Sequence, residues 1–370
     1  LLMALLLIWN RSRTTHIALS QPLPASPPSV HVLVPARNEE NNIGDCIAAL
    51  RAQDYPNLRI RVIDDHSTDR TAQIIAQHAA DDPRVQLRHA PDLPKGWMGK
   101  PHALWSGSRD VDADYVLFLD ADVRLRPAAV RLAVLAAESS KAGLVTLVPR
   151  LTAASFWERA VQPVVAQILF TFVDPVRARD VDSDFTVGYG PFMFFRRTAY
   201  EDIGGHAAVA SEIVEDLRLA QRIKQARWPL SYAQGTDVID LRMYDSLRQI
   251  LSGWKKNFHV ALGSAQWLAP IGAALLALVF VTPILSLLTA LCLYATRGPS
   301  LFTQKFLLTA ALVYGADWLA RIALRVAFGV TLRGARAVGA LVVAYILCAS
   351  SYQAVMGRPV SWRGRSYPAG

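Results

Sequence analysis

From residue 30 to residue 120 the apolar positions switch repeatedly between short solid runs and a helical period. The spacing predicts strands at 30–34 (VHVLV), 59–64 (RIRVID), 85–90 (VQLRHA) and 115–120 (YVLFLD), with helices at 43–53, 69–80 and 100–110 between them. Strands alternating with helices of this length imply βαβ units, an α/β fold with a parallel sheet covered by helices on both faces, and right-handed crossovers. A Pro/Ser linker, SQPLPASPPS (20–29), precedes this region. Further on, GYGPFMFFRR (188–197) reads either as a strand behind an acceptor-side loop or as a plain core strand, and DLRLAQRIK (216–224) reads as a helix.

Beyond residue 245 the pattern becomes one of long apolar runs, at 268–294, 306–316 and 337–349. A membrane-crossing helix needs about 20 apolar residues. The first run meets that length even with Pro283, as does the stretch 336–356 around the last. The middle run ends in Asp317, Arg321 and Arg325, four apart on one helix face. It reads either as a third span whose charged end faces protein or as a helix in the headgroup plane. Residues 246–267 mix apolar positions with Arg248, Lys255 and Lys256 and two tryptophans, which suits an interfacial amphipathic helix. The opening LLMALLLIW is too short to span and reads as the remnant of a membrane anchor begun before residue 1. Asn10, Arg11 and Arg13 behind it favour a cytoplasmic position for the chain beyond them. The expected organisation is an anchor remnant (1–19), the linker (20–29), an α/β domain (30–245), the interfacial helix (246–267), a membrane region of two or three spans (268–356) and a basic tail (357–370).

Charge follows the same division. Residues 1–245 carry 27 Lys/Arg against 29 Asp/Glu, whereas residues 246–370 carry 12 basic residues and one acid, Asp317, so the net charge of +9 belongs to the last third. Basic residues flanking apolar runs fit lipid headgroups. The near-neutral first part has no basic stripe for nucleic acid, which is excluded as a partner. Cys46, Cys292 and Cys348 are too few and scattered for a disulfide framework or a metal cluster.

In parallel α/β sheets, ligands bind beyond the carboxyl ends of the strands. There the chain places PARNEE (35–40), DDHSTD (64–69) and DADV (120–123). Ser67, Thr68 and Asp69 precede a helix and serve as caps, while Asp64 and Asp65 are less easily explained that way. Asp120 and Asp122 form one of several Asp-x-Asp patterns, and by itself the pair is either an oxygen site for a divalent cation or the polar end of a strand. No G-x-G-x-x-G follows the first strand and no P-loop occurs, which removes most support for a dinucleotide oxidoreductase or a P-loop NTPase. Without a glycine loop to cradle phosphates, a metal held by Asp120 and Asp122 is the natural means of neutralising a diphosphate.

Four segments in this order, VLVPARNEE, VIDDHSTDRT, LFLDADV and SEIVEDLRLAQRIK, resemble the family 2 glycosyltransferases with a GT-A fold, over roughly residues 30–260. The stretches GYGPFMFFRR, GGH (204–206) and RMYDSLRQILSGWKKNF (242–258) are similar to membrane-anchored members that glycosylate lipids such as carotenoid acids, and SFWERA (155–160) to hopanoid-associated relatives. The resemblance implies a Rossmann-like, mostly parallel GT-A sheet followed by C-terminal transmembrane helices. It implies that Pro35, Arg37 and Glu39 lie along the nucleotide, that Asp65 binds the uracil, and that Lys100 meets the diphosphate or holds the donor loop. Asp120 would bind ribose and share a Mg2+ or Mn2+ with Asp122, and Asp216 would be the catalytic base. Gly188, Tyr189, Gly190, Glu215 and Trp254 would lie on the acceptor side.

Competing structural roles exist for several of these. Glu215 and Asp216 open a helix whose dipole favours acids, and Lys100 could be an ordinary lysine at a helix start, where a cation is poorly placed. His206 is a further acceptor-side candidate. Polymer-building members of the family carry Gln-x-x-Arg-Trp where this chain has ILSGW (250–254), keeping Trp254 but placing Ile250 and Gly253 at the Gln and Arg positions. The expected function is inverting, metal-dependent transfer of one sugar from a nucleotide-diphosphate donor, UDP-linked, to a membrane lipid such as a polyisoprenoid, carotenoid or hopanoid. The expected location is the cell membrane, multi-pass, with the catalytic domain cytoplasmic. The alternatives are a processive polysaccharide synthase and a non-catalytic membrane scaffold.

Overall fold

The computed structural model describes residues 2–14, 21–171, 173–328, 336–358, 360–362 and 365–367. Parts of the expected anchor, linker and basic tail (residues 1, 15–20, 359, 363–364 and 368–370) lie outside the described residues. The elements run α1 (Leu2–Ser12), β1 (Val30–Ala36), α2 (Ile43–Arg51), β2 (Leu58–Asp64), α3 (Thr71–Asp81), β3 (Val85–His89), α4 (Gly99–Ser108) and β4 (Tyr115–Leu119). They continue with β5 (Val123–Leu125), α5 (Ala129–Ser140), β6 (Leu144–Val148), β7 (Arg150–Leu151), α6 (Phe156–Thr171), α7 (Pro175–Arg179), β8 (Phe192–Arg196), α8 (Arg197–Asp202), a 3-10 turn (Gly205–Val209), α9 (Glu215–Gln225), β9 (Leu230–Gln234) and β10 (Ile239–Leu241). Five helices come next: α10 (Leu247–Leu262), α11 (Leu268–Phe280), α12 (Thr282–Arg297), α13 (Leu301–Phe328) and α14 (Arg336–Val355). The chain divides into two compact units, one of residues 13–151 and 173–242, the other of residues 1–12, 152–172 and 243–370. Residues 152–172, which the apolar pattern left inside a continuous α/β domain, thus group with the C-terminal helices.

The first unit is built on a seven-stranded sheet in the order β3-β2-β1-β4-β8-β6-β9. Every pairing is parallel except those of β8, which runs antiparallel to β4 and β6. The central strands are solid apolar runs because both faces are covered; Val32, Leu33, Val34 and Leu117 are fully buried. Tyr115 stacks on Phe194 across the β4–β8 pair at a centroid distance of 4.8 Å. A separate three-stranded sheet has the order β5-β10-β7.

The second unit is helical, and its core is built from α6, α10, α11 and α14. Ile250, Trp254 and Phe258 recur every fourth residue and put one face of α10 into that core. The amphipathic stretch predicted to lie among headgroups therefore packs its apolar face against protein. Gly253 lies beneath the Tyr244 ring, where a Cβ would come within 2.3 Å of its atoms. The middle apolar run of the sequence belongs to α13, and its charged end is turned to protein. Asp317 accepts from Arg321 Nε at 2.8 Å and from Arg336 Nη1 at 3.1 Å. Arg336, only 3% exposed, also reaches Gln167 and lies over the Phe280 ring at 4.7 Å. Many leucines on these helices remain exposed, among them Leu275, Leu278, Leu288, Leu308 and Leu312.

Among the described residues one helix, Arg336–Val355, is long and apolar enough to cross a membrane. There are two if Leu268–Phe280 and Thr282–Arg297, bent by 44° at their junction, count as one broken span. The break falls where Pro283 opens α12, since proline fits a helix start and not its interior. α13, which carries Lys305, Asp317, Arg321 and Arg325, is not among the candidates, so three spans are not supported.

Among the described glycines the closest approach is at Gly339, where a Cβ would stand 1.8 Å from the Ala160 carbonyl oxygen. Only a residue without a side chain lets α14 approach α6 this closely. Gly339→Val is expected to destabilise the purified chain by about 1–3 kcal/mol. An unchanged thermal midpoint would contradict the packing.

Candidate active site

Strand register brings the chemistry to one edge. Ala36 pairs with Asp64, and Asp64 with His89, so β1, β2 and β3 finish level. The turns after β1 and β2 are laced together. Asn38 (φ 53) and His66 (φ 57) take left-handed conformations, which asparagine adopts readily, and Asn38 Oδ1 accepts from the Thr68 amide at 2.9 Å. Arg37 Nη1 donates to the Asp65 carbonyl at 2.7 Å and lies 3.9 Å from the buried Asp65 carboxylate. Pro35 is opposite Ile63 in the sheet. Glu39 is buried; its backbone oxygen accepts from the Asn42 and Ile43 amides and its carboxylate from Asn42 Nδ2 at 2.9 Å, the contacts of a helix start.

The next group gathers around a single ammonium. Lys100, in the first turn of α4, places Nζ 2.6 Å from Asp120 Oδ1 and 2.9 Å from Glu215 Oε1. A cation at a helix start opposes the helix dipole, so its stability there comes from the two carboxylates. Burial disfavours the Lys100 charge, but Asp120 and Glu215 outweigh it and raise its pKa. Burial likewise opposes ionisation of Glu215, yet Lys100 prevails and keeps this carboxyl below its ordinary value. The two acids belong to different elements, Asp120 following β4 and Glu215 opening α9. Lys100 therefore ties a strand end to a helix start.

Asp216 sits beside this pair. Its Oδ2 accepts from the Gly190 amide at 2.7 Å and its Oδ1 from the Leu217 amide at 2.8 Å. The glycines are required by approach distance. A Cβ at Gly190 would stand 2.7 Å from Asp216 Oδ2, and one at Gly188 2.8 Å from the Asp216 carbonyl. Burial, and then the neighbouring Glu215 charge, push Asp216 up to about 6. Lys100, Asp120, Gly190, Glu215 and Asp216 line one small cavity of about 10 Å³ together with Phe118, Met193 and His206. A larger groove of about 480 Å³, along Arg88, His89, Trp105 and Arg109, contains none of the predicted site residues.

Tyr189 lies between the two glycines, with its hydroxyl 3.4 Å from that of Tyr232 and its amide donating to Thr146 Oγ1 at 3.0 Å. His206 is fully packed. Its ring meets Phe118 edge-on at 4.5 Å, its Nδ1 lies 2.8 Å from the Tyr200 hydroxyl, and burial holds its pKa down to about 3. Trp254 belongs to the helical unit, 5% exposed in that core, with Nε1 donating to Gln162 Oε1 at 3.1 Å. Its neighbours Ile250 and Gly253 are likewise occupied in packing.

Residues 31–204 match the family model described as "Glycosyl transferase family 2". That segment is similar to the family 2 glycosyl transferases. It is 26% identical over 248 residues to the 4,4'-diaponeurosporenoate glycosyltransferase of Staphylococcus haemolyticus, covering 64% of this chain and 63% of that protein. It is 27% identical over 268 residues to the protein of the same name in Staphylococcus aureus, covering 70% of this chain and 68% of that one. The alignment thus spans somewhat less than two thirds of the first of these relatives. Among solved structures, the chain superposes on a mannosyltransferase from Pyrobaculum calidifontis in complex with GDP-Man and Mn2+. The TM-score is 0.55 at 20% identity, with 95% of this chain and 94% of that one covered, a likeness of fold.

Asp120, which follows β4, and Asp122 are the two carboxylates expected from the sequence to serve a divalent cation. Among the described residues no group of three or more His, Cys, Asp or Glu side chains is arranged to hold a metal. Two carboxylates suit Mg2+ or Mn2+ when a diphosphate supplies further oxygens. The donor set fits that use, and the Asp120 carboxylate already faces a cation, the Lys100 ammonium. The Lys100–Glu215 pair and the dependence of Gly188 and Gly190 on Asp216 were not read from the sequence. Correlated substitution at these positions in relatives is the signal that could have revealed them.

The raised Asp216 pKa has a stability signature. Between the ordinary carboxylate range near pH 4 and about pH 6, the folded state binds more protons at this site than the unfolded state does. Stability from Asp216 is therefore greatest below that window and falls as pH rises through it. Asp216→Asn should gain thermal stability relative to wild type as pH rises from about 4 to about 6, and keep that gain above it. A pH-independent difference in Tm between the two proteins would contradict the assignment.

Proposed function

We propose that this protein transfers a single sugar, with inversion, from a nucleotide-diphosphate donor, UDP-linked, to a hydroxyl or carboxylate on a membrane lipid of polyisoprenoid, carotenoid or hopanoid type. The observation that carries this reading is the Lys100 bridge, because it sets a strand-end carboxylate suited to the donor beside a helix-start carboxylate suited to the acceptor. Arg37 and Asp65 would bind the nucleoside end, with Pro35 and Glu39 shaping the turn. Asp120 and Asp122 would hold Mg2+ or Mn2+, which when bound offsets the charge on the departing diphosphate. Lys100 is positioned to turn its ammonium toward the same diphosphate.

Asp216 would accept the proton of the incoming hydroxyl as its oxygen attacks the anomeric carbon. Its raised pKa suits a base working near neutrality, and the Gly190 and Leu217 amides hold the carboxylate in place. Glu215 keeps Lys100 charged and in register, and Gly188, Tyr189 and Gly190 form the acceptor-side wall. The lipid acceptor is supported by the relatives named for 4,4'-diaponeurosporenoate and by the leucine-rich faces exposed on α11 to α14. In this reading those helices hold the protein in the cell membrane, with Arg336–Val355 crossing and the bent α11–α12 pair as a second, broken span. Packing of Ile250 and Gly253 weighs against a processive synthase.

Asp122→Ala and Asp216→Ala should each reduce transfer by at least about 10²–10⁴-fold in purified membranes. Asp122→Ala should also lose metal-dependent UDP binding, whereas Asp216→Ala should keep it. Full transfer by either variant, or a ladder of oligomers made from labelled donor, would sink the single-transfer reading. The rate should fall as pH drops below about 6, where Asp216 becomes protonated.

A further inference from the structure

Lys224 stands outside the cavity and has an unusual environment. It is 8% exposed, in the last turn of α9, and its Nζ faces four backbone carbonyls: Arg177 at 2.9 Å, Ala178 at 3.3 Å, Asp180 at 2.6 Å and Phe185 at 2.9 Å. An ammonium has three protons and no acceptor capacity, so this array shares all of them. Burying an ammonium is costly unless it is hydrogen-bonded, and here the bonds are spent on a loop. Burial lowers the Lys224 pKa, as expected for a charge compensated mainly by carbonyl dipoles.

The segment so held continues directly into Gly188, Tyr189 and Gly190. Asp174 caps the start of α7 through the Val176 and Arg177 amides, and Arg177 lies over the Phe185 ring at 5.4 Å. At its other end the loop is fastened to Asp216 by the Gly190 amide. Asp216 and Lys224 lie on one helix, separated by about 12 Å at 1.5 Å per residue. α9 thus grips the loop at both of its own ends, through a carboxylate and an ammonium.

We propose that Lys224 is a positioning residue that fixes residues 180–190 as the acceptor-side wall against the helix bearing Asp216. The acceptor assignment rests on the function proposed above; the brace itself does not. Without the ammonium, four carbonyls lose their donor, and the loop is left with its attachments at Asp216, at Thr146 through the Tyr189 amide and at Arg227 through Asp182.

The test compares full-length wild type with Lys224→Met in membranes. The acceptor KM is expected to rise about tenfold while UDP affinity stays within about twofold, and trypsin should cut faster at Arg177 and Arg179. In Lys224→Ala, added propylammonium should slow that cleavage and restore transfer, whereas propanol should not. Unchanged acceptor KM and unchanged cleavage would overturn the proposal. So would a parallel loss of UDP binding and folding in both variants, which would make Lys224 a general stability residue. A wild type that transfers no sugar would sink the functional reading, while the cleavage comparison would still decide the brace.

Discussion

One ammonium holds the site together. Asp120 and Glu215 are both acids in a partly buried region, and without Lys100 between them each would face a desolvation penalty with no compensating charge. The position of Lys100 at the start of α4 makes sense only in this company, since the local helix dipole disfavours it. Because Glu215 opens α9, the same bridge orients the helix on which Asp216 and Lys224 lie. The glycines at 188 and 190 follow from it, as the loop must pass within contact distance of Asp216.

Much of the sheet unit could be read from local pattern. The strands at 30–36, 58–64, 85–89 and 115–119 are solid apolar runs with polar breaks, and each lies within two residues of its expected bounds. The rule that ligands gather beyond strand ends then pointed to the segments 35–40, 64–69 and 120–123 without any knowledge of side-chain positions. Periodicity could not reveal which distant groups meet. The contact of Lys100 with Glu215, and that of Gly190 with Asp216, are long-range facts set by the stacking of α4, β8 and α9. The reversed direction of β8 also left no local mark, because a buried strand has the same composition whichever way it runs.

The helical region shows a different kind of ambiguity. An apolar face with basic neighbours has the same sequence signature whether it meets lipid or protein. α10 resolves toward protein through Ile250, Trp254 and Phe258, while leucines on α11 to α14 stay exposed. The Asp317–Arg321–Arg336 cluster belongs to the same problem, for charges in an apolar helix read as an interfacial signal until their partners are seen. Trp254 packs in the helical core with its indole N–H bound to Gln162.

The excursion of residues 152–172 from one unit into the other bears on how the protein can be made and divided. During synthesis α6 emerges well before α10 and α14, so its buried face must wait, shielded by other means, until the end of the chain is delivered. No single cut in the chain separates the two units. A fragment ended near residue 245 to obtain the sheet unit alone would keep α6 while discarding the helices that cover Val161 and Val164. Removal of α1 together with excision of α6, bridged by a short linker, is the division that respects the architecture.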